Sequence, residues 1–323
     1  MRKALLCIGF TVLGLAVSGP LAAQSYPSRP VRIVVPTNVG SGPDLIARIL
    51  GAKLTERWNQ QVVIENKPGA STMLGTAEVA RSPGDGYSMV IVPDAYSSNP
   101  SLLKPFPFDP IKDMAPVAQV AIGGMILVVH PSQPARTVAE LVALARGNPG
   151  KLNYGTAGPG TTHHMMMELF MNVAGIQMVH IPYSKGPGPM LVDLLEGRLA
   201  AAFIASNAAL VHVPAGKLRA LGAAGPKRLS YAQNIPTVAE SGYKGFDIEL
   251  WYGLLASGAT PPDLVQKIYT DVAAVLALAD VRERLLKQGI EAAPLAPGPF
   301  GAMIREDIAR RAKLVKEVGI KAN

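Results

Sequence analysis

Residues 25–36 read Ser-Tyr-Pro-Ser-Arg-Pro-Val-Arg-Ile-Val-Val-Pro, and Gly40-Ser41-Gly42-Pro43-Asp44 follows shortly after. The β-branched run Val31–Val35 predicts a strand that stops at Pro36, and the apolar spacing that begins near Pro43 predicts an amphipathic helix. A strand that breaks over glycines into a helix leaves first-turn N–H groups without intrahelical partners, and the helix dipole favours an anion in front of them. The fold reading grows outward from this strand–glycine–helix unit.

Upstream, residues 1–23 read as a secretory signal: Arg2-Lys3, an apolar stretch from Ala4 to Val17, then Ser18-Gly19-Pro20-Leu21-Ala22-Ala23 with cleavage after Ala23. The apolar stretch is shorter than the roughly 20 residues of a membrane span. The loop ligand would therefore be met outside the cytoplasm. The single cysteine, Cys7, lies inside the signal. The exported chain thus excludes disulfides, thiolate catalysis and cysteine metal sites. Net charge is +8 over 323 residues, and Arg2 and Lys3 carry two of those charges. No Lys/Arg run exceeds two and no aromatic-interleaved basic stripe occurs, which argues against nucleic acid and leaves acidic small molecules.

Along the chain, short apolar runs alternate with helical periodicity. Strands are predicted at Val31–Val35, Val62–Glu65, Ser88–Val92, Val117–Val120, Met125–His130, Leu152–Gly155, Met178–Pro182, Leu199–Ile204 and Arg219–Ala223. Helices are predicted at Asp44–Trp58, Thr72–Arg81, Thr137–Arg146, Thr162–Val173, Pro189–Glu196 and Asn207–Pro214. This alternation predicts an α/β fold whose sheets are mainly parallel and flanked by helices. Beyond Trp251–Ala256 the pattern turns helical, with Asp263–Leu278, Val281–Gln288 and Pro299–Val318 and little strand between. Helices without new strands pack back on an existing sheet. The expected domains are residues 24–123 with 250–323, and residues 124–249. The chain then crosses twice, near Gly123-Gly124 and near Leu250–Ala256, making a hinge with a binding cleft between the lobes.

Four loops supply the candidate ligand-binding residues. In the first, Gly40, Ser41 and Gly42 offer amides, and Asp44 sits in the first turn, either as a cap or as a contact through water. The second, Thr156–His163, follows a predicted strand and precedes a helix; Gly158, Gly160, Thr161, Thr162 and His163 are its candidates. Its glycines match neither a dinucleotide fingerprint nor a phosphate loop. Pro93–Asn99 contributes Asp94, Tyr96 and Ser97, while Pro182–Pro189 contributes Tyr183, Ser184 and a possible cation in Lys185. Ser206-Asn207 completes the set, with Ser206 the chosen candidate.

His164 and Glu168 stand four apart on one helical face, which invites a metal reading, but HExxH is absent and no third ligand is apparent among five histidines. The methionines around them read as core filling. No GxSxG elbow occurs. The expectation is no metal, no cofactor and no catalysis. A hydrolase or metal enzyme using His163, His164 and Glu168 stands as the alternative from another class.

The ordered stretches Tyr26–Arg32, Val63–Ala70, Asp85-Gly86-Tyr87, Pro107–Pro110, Asn148–Tyr154, Val179–Tyr183, Ala215–Leu221 and Ile235–Glu240 resemble the Bug, or TctC-type, receptors of tripartite tricarboxylate transporters. The resemblance covers essentially the whole exported chain. It implies a two-lobed, hinged periplasmic-binding-protein fold of type II-like form that closes on a small carboxylate. Such a receptor, expected as a monomer, hands its ligand to one large and one small membrane subunit; the same receptor feeding a sensor kinase is the other use. The resemblance also implies that the carboxylate is held by amides and waters of Gly40–Asp44 and Gly158–His163. Two departures matter. Ser41 and Pro43 replace a glycine and a threonine of the usual first loop, and Phe203-Ile204-Ala205-Ser206 stands where many relatives carry Phe-Asp-Asn. Loss of that acid implies a ligand without an amine. Tyr96, His163, Tyr183 and Trp251 are the side chains expected to discriminate among acids.

Overall fold

A computed structural model describes residues 26–183, 186–246 and 248–320. The expected signal peptide, and Ser184 with Lys185, lie outside the described residues.

The first sheet is built on β1 (Val31–Val35), which pairs in parallel with β2 (Val62–Asn66) and with β3 (Ser88–Pro93). Long strand β4 (Met114–Gly123) ends this part of the chain. The next strand, β5 (Met125–Val129), already belongs to a second sheet with β6 (Asn153–Thr156), β7 (Val179–Pro182), β8 (Ala201–Ala205) and β9 (Arg219–Ala223). The chain returns to the first sheet as β10 (Leu250–Ser257), and β11 (Ile290–Leu295) closes it. Strand order is β11-β4-β10-β3-β1-β2 in the first sheet and β7-β6-β8-β5-β9 in the second.

Both sheets are mixed, where the alternation predicts mainly parallel ones. Strand β10 lies antiparallel to both β3 and β4, and β5 lies antiparallel to both β8 and β9. The reason is the crossing. A strand arriving from the other sheet enters from the opposite end to one delivered by a βαβ unit, so it runs against its neighbours.

Helices cover both faces. On the first sheet lie α1 (Gly42–Trp58), α2 (Met73–Ala80), α3 (Ala95–Leu102), α8 (Pro262–Leu276), α9 (Ala279–Leu286) and α10 (Pro297–Val318). The second carries α4 (Val138–Gly147), α5 (Thr162–Ala174), α6 (Pro187–Leu195) and α7 (Ser206–His212). Local chemistry sets their ends: the Thr137 hydroxyl accepts from Glu140 N at 3.1 Å at the start of α4, and α5 stops at Gly175 with φ 62°. Successive residues of β1 and β5 point to opposite faces and are buried on both. Val31, Ile33 and Val35 join one apolar cluster with Met125 and Leu127, whereas Val34 faces a second and Ile126 a third. That shared cluster also takes in Tyr154, Leu250, Tyr252, Ile290 and the methionines 165–167, so one core runs from sheet to sheet. At its far end α10 leaves its own sheet, and Val318 and Ile320 border a hollow formed with Pro159, His164 and His180.

Candidate functional site

The two sheets enclose a cavity of about 440 Å³ at their junction. Gly40, Ser41 and Gly42 reach it from the first loop, and Thr162 and His163 from the second. Five of the expected contacts therefore meet on one cavity, at the N-termini of α1 and α5. Neither helix start is capped by a side chain: Ser41 and Thr161 hold the cap positions in extended backbone without a cap hydrogen bond. First-turn amides are thus available to a ligand rather than consumed by the chain.

The first loop is braced from behind. Gly40 adopts φ 81°, a left-handed conformation suited to glycine. Its N–H donates to Asp44 Oδ2 at 2.9 Å, and the same carboxylate accepts from Arg48 Nε and Asn66 Nδ2. Burial alone would raise the Asp44 carboxyl, but the Arg48, Gly40 and Asn66 donors outweigh it and hold it below its ordinary range. Asp44 is buried and absent from the cavity wall; it shapes the loop from within. The Ser41 hydroxyl lies 2.6 Å from that of Thr37, and both side chains border the cavity.

The second loop is braced the same way. Gly158 N donates to Thr156 Oγ1 and Gly160 N to His164 Nδ1, both at 3.1 Å, and Thr161 Oγ1 donates to Gly158 O. Gly158, Gly160 and Thr161 therefore carry the turn and do not border the cavity. His163 does, and its Nδ1 is buried with no hydrogen-bond partner among the described residues. Desolvation lowers its pKa to about 4, so the ring is neutral near pH 7. His164 instead stacks on His180, with ring centres 4.2 Å apart, and lies 3.4 Å from Glu168. Among the described residues no group of three or more His, Cys, Asp or Glu is placed to hold a metal.

The other expected contacts lie elsewhere. Tyr96 and Ser97 belong to α3, a helix where the polar stretch Pro93–Asn99 reads as a loop, and both are fully buried. The Tyr96 hydroxyl donates to Pro110 O at 2.6 Å, which commits it to the core. Asp94 sits one step behind the wall, where its carboxylate accepts from Thr162 Oγ1 at 2.6 Å and from Arg311 at 2.8 Å. Arg311 also donates to Asp307, which takes the Trp251 indole N–H at 3.0 Å. Burial raises the Asp94 carboxyl above its ordinary range, with Arg311 and Thr162 opposing. Trp251 thus faces this buried network and not the cavity. Tyr183 gives its hydroxyl to Asp193, and Ser206 shares its own with Tyr231 at 2.7 Å beside Gly289 O.

Sequence reasoning passes over Tyr252. A Cβ on Gly42 would fall 2.4 Å from the Tyr252 Oη, so only glycine at the first residue of α1 lets that hydroxyl lie over the helix start. Burial raises the phenol pKa well above its ordinary value and keeps it a hydrogen-bond donor. Period-two alternation could have separated Trp251 from Tyr252, but every residue of β10 is buried, so polarity does not mark a face. The apolar remainder of the wall, including Leu45, Met125, Met190, Leu191, Ile204 and Leu250, carries no motif to find it by. Among the described residues no ionised side chain borders the cavity.

Comparison with known proteins fits this geometry. Residues 46–320 match the tripartite tricarboxylate transporter family receptor, TctC. Protein BugT of Bordetella pertussis is 31% identical over 99% of this chain and 99% of its own length. A structure of R. palustris Rpa4515 with adipate superposes with a TM-score of 0.81 at 33% identity, covering 92% of this chain and 99% of that one. MatC from Rhodopseudomonas palustris with bound malate gives 0.77 at 28% identity, over 90% and 100%. With the two-sheet fold and the match over most of its length, the chain belongs to the TctC, or Bug, family of tripartite tricarboxylate transporter receptors.

Proposed function

We propose that this protein is a periplasmic solute receptor that captures a small carboxylate between two lobes and passes it to the membrane subunits of a tripartite transporter. The observation that carries the reading is the meeting of two uncapped helix starts, Gly42 and Thr162, on one cavity. Each presents N–H groups and the positive end of a helix dipole to a carboxylate. The lobes in this reading are residues 24–123 with 250–323, and residues 124–249. Support comes from the switch of sheet at Gly124 and the return at Leu250. The receptor performs no chemistry on its ligand. Ligand favours the closed lobes only by as much as it binds that form better.

The test is thermal melting of protein that has been unfolded and refolded to strip carried-over ligand, against mono-, di- and aromatic carboxylates. A true ligand at 100 times its Kd adds about 2.7 kcal/mol, which raises Tm by several degrees. A flat response across the acids, with a rise for uncharged solutes, sinks the carboxylate assignment.

A further inference from the structure

We infer that the cavity selects a single-headed ligand: one carboxylate at the α1/α5 end, under the Tyr252 hydroxyl, and an uncharged apolar body against the opposite wall. The inference rests on the carboxylate reading above and narrows it. Donors are distributed unevenly around the cavity. The start of α5, Thr162-His163-His164, contains no proline, so all three N–H groups are present. The start of α1 loses one donor to Pro43 but has the Tyr252 hydroxyl laid over Gly42. A third helix start, that of α6, also borders the cavity, and there the chain has removed its donors. Pro187 and Pro189 occupy the first and third positions and leave Gly188 as the one N–H among the three. A second carboxylate aimed at α6 would meet the Pro187 ring and a single N–H, that of Gly188.

The wall beside α6 continues this character. Met190 and Leu191 from α6, Ile204 from β8, Met125 from β5 and Leu250 from β10 line it, and Asn207 and Gln288, which also border the cavity, carry no charge. A carboxylate or ammonium held against such a wall loses hydration with no opposite charge to compensate, whereas a methylene chain or an aromatic ring gains by leaving water. The relative crystallised with adipate holds a two-headed acid; the proline-flanked α6 start argues that this chain does not favour one.

Calorimetry on the stripped, refolded protein decides the matter with hexanoate, benzoate, adipate, 6-aminohexanoate and hexanamide. The expected order is one of the two monocarboxylates at least tenfold tighter than adipate and 6-aminohexanoate, with hexanamide weaker still. Tyr252→Phe weakens the monocarboxylate severalfold and leaves the amide unchanged. Leu191→Arg, at a half-buried site that tolerates a long side chain, turns the order toward adipate. Adipate binding as tightly as hexanoate or benzoate in the unmodified protein overturns this inference and leaves the carboxylate reading standing. No binding by any of the five also overturns this inference alone, whereas hexanamide binding as tightly as hexanoate overturns both.

Discussion

Arg311 is 1% exposed and faces two carboxylates, Asp94 and Asp307, each within 3 Å. A buried ion set of this kind adds little net stability by its presence, because desolvation offsets attraction, but removing one member strands the rest. Arg311→Met is therefore expected to cost about 3–5 kcal/mol in urea unfolding, and adding Asp94→Asn should recover part of it. Histidines give a second residue-scale prediction. Burial lowers both His163 and His180 to about 4, with His164 pushing His180 the same way and Glu168 opposing. Their folded values lie below the ordinary 6.5, so between those limits the unfolded chain binds protons that the folded chain does not. Stability should be fully present above pH 6.5 and fall as pH drops toward 4, read as Tm at several pH values. His180→Gln should flatten that slope. Asp44, Asp271 and Asp307 are held below their ordinary 3.8, so their contribution is lost only under more acid conditions.

At the scale of elements, the start of α1 concentrates the site in one substitution. Alanine is the better helix former by roughly 1 kcal/mol, and nothing in the local backbone forbids it at Gly42. Its Cβ would still collide with the Tyr252 hydroxyl. Gly42→Ala is expected to keep its circular dichroism and lose at least tenfold in ligand affinity by calorimetry. Sequence patterns reveal such elements unevenly. Strand β1 and the helices α1 and α5 are legible because β-branched runs, glycine breaks and cap positions are local signals. Strand β10 is less so, since Gly253 reads as a breaker; in the fold a Cβ there would lie 2.2 Å from the Phe300 ring, so the glycine admits α10. Strand β11 carries Pro294, which only an edge position tolerates, and β11 is an edge. Helix α3 is polar and contains Pro100, yet it forms because Tyr96 is buried, Asn99 donates to Ser71 O and α10 packs along it. The two glycine loops could be read; which of their residues border the cavity and which brace the turn could not, because that depends on hydrogen bonds such as Gly160 N to His164 Nδ1.

Across the whole molecule, the hydrogen bond from Thr162 to Asp94 joins an element of the second sheet to one of the first, at the back of the cavity. Thr162→Val removes the donor at nearly constant volume. We expect a larger radius of gyration by small-angle scattering in the absence of ligand, with saturating ligand restoring part of the difference. The chain contains two tryptophans, and they occupy unequal places. Trp58 donates to Asp271 of α8, neither of them bordering the cavity, whereas Trp251 donates to Asp307 in the network that reaches Thr162 through Arg311 and Asp94. An indole beside a carboxylate shifts its emission with small changes in that field. Trp58→Phe would therefore leave a single native indole, one residue away from Tyr252, whose emission, excited at the red edge where tyrosines do not absorb, would report the lobe closure proposed above without an attached dye.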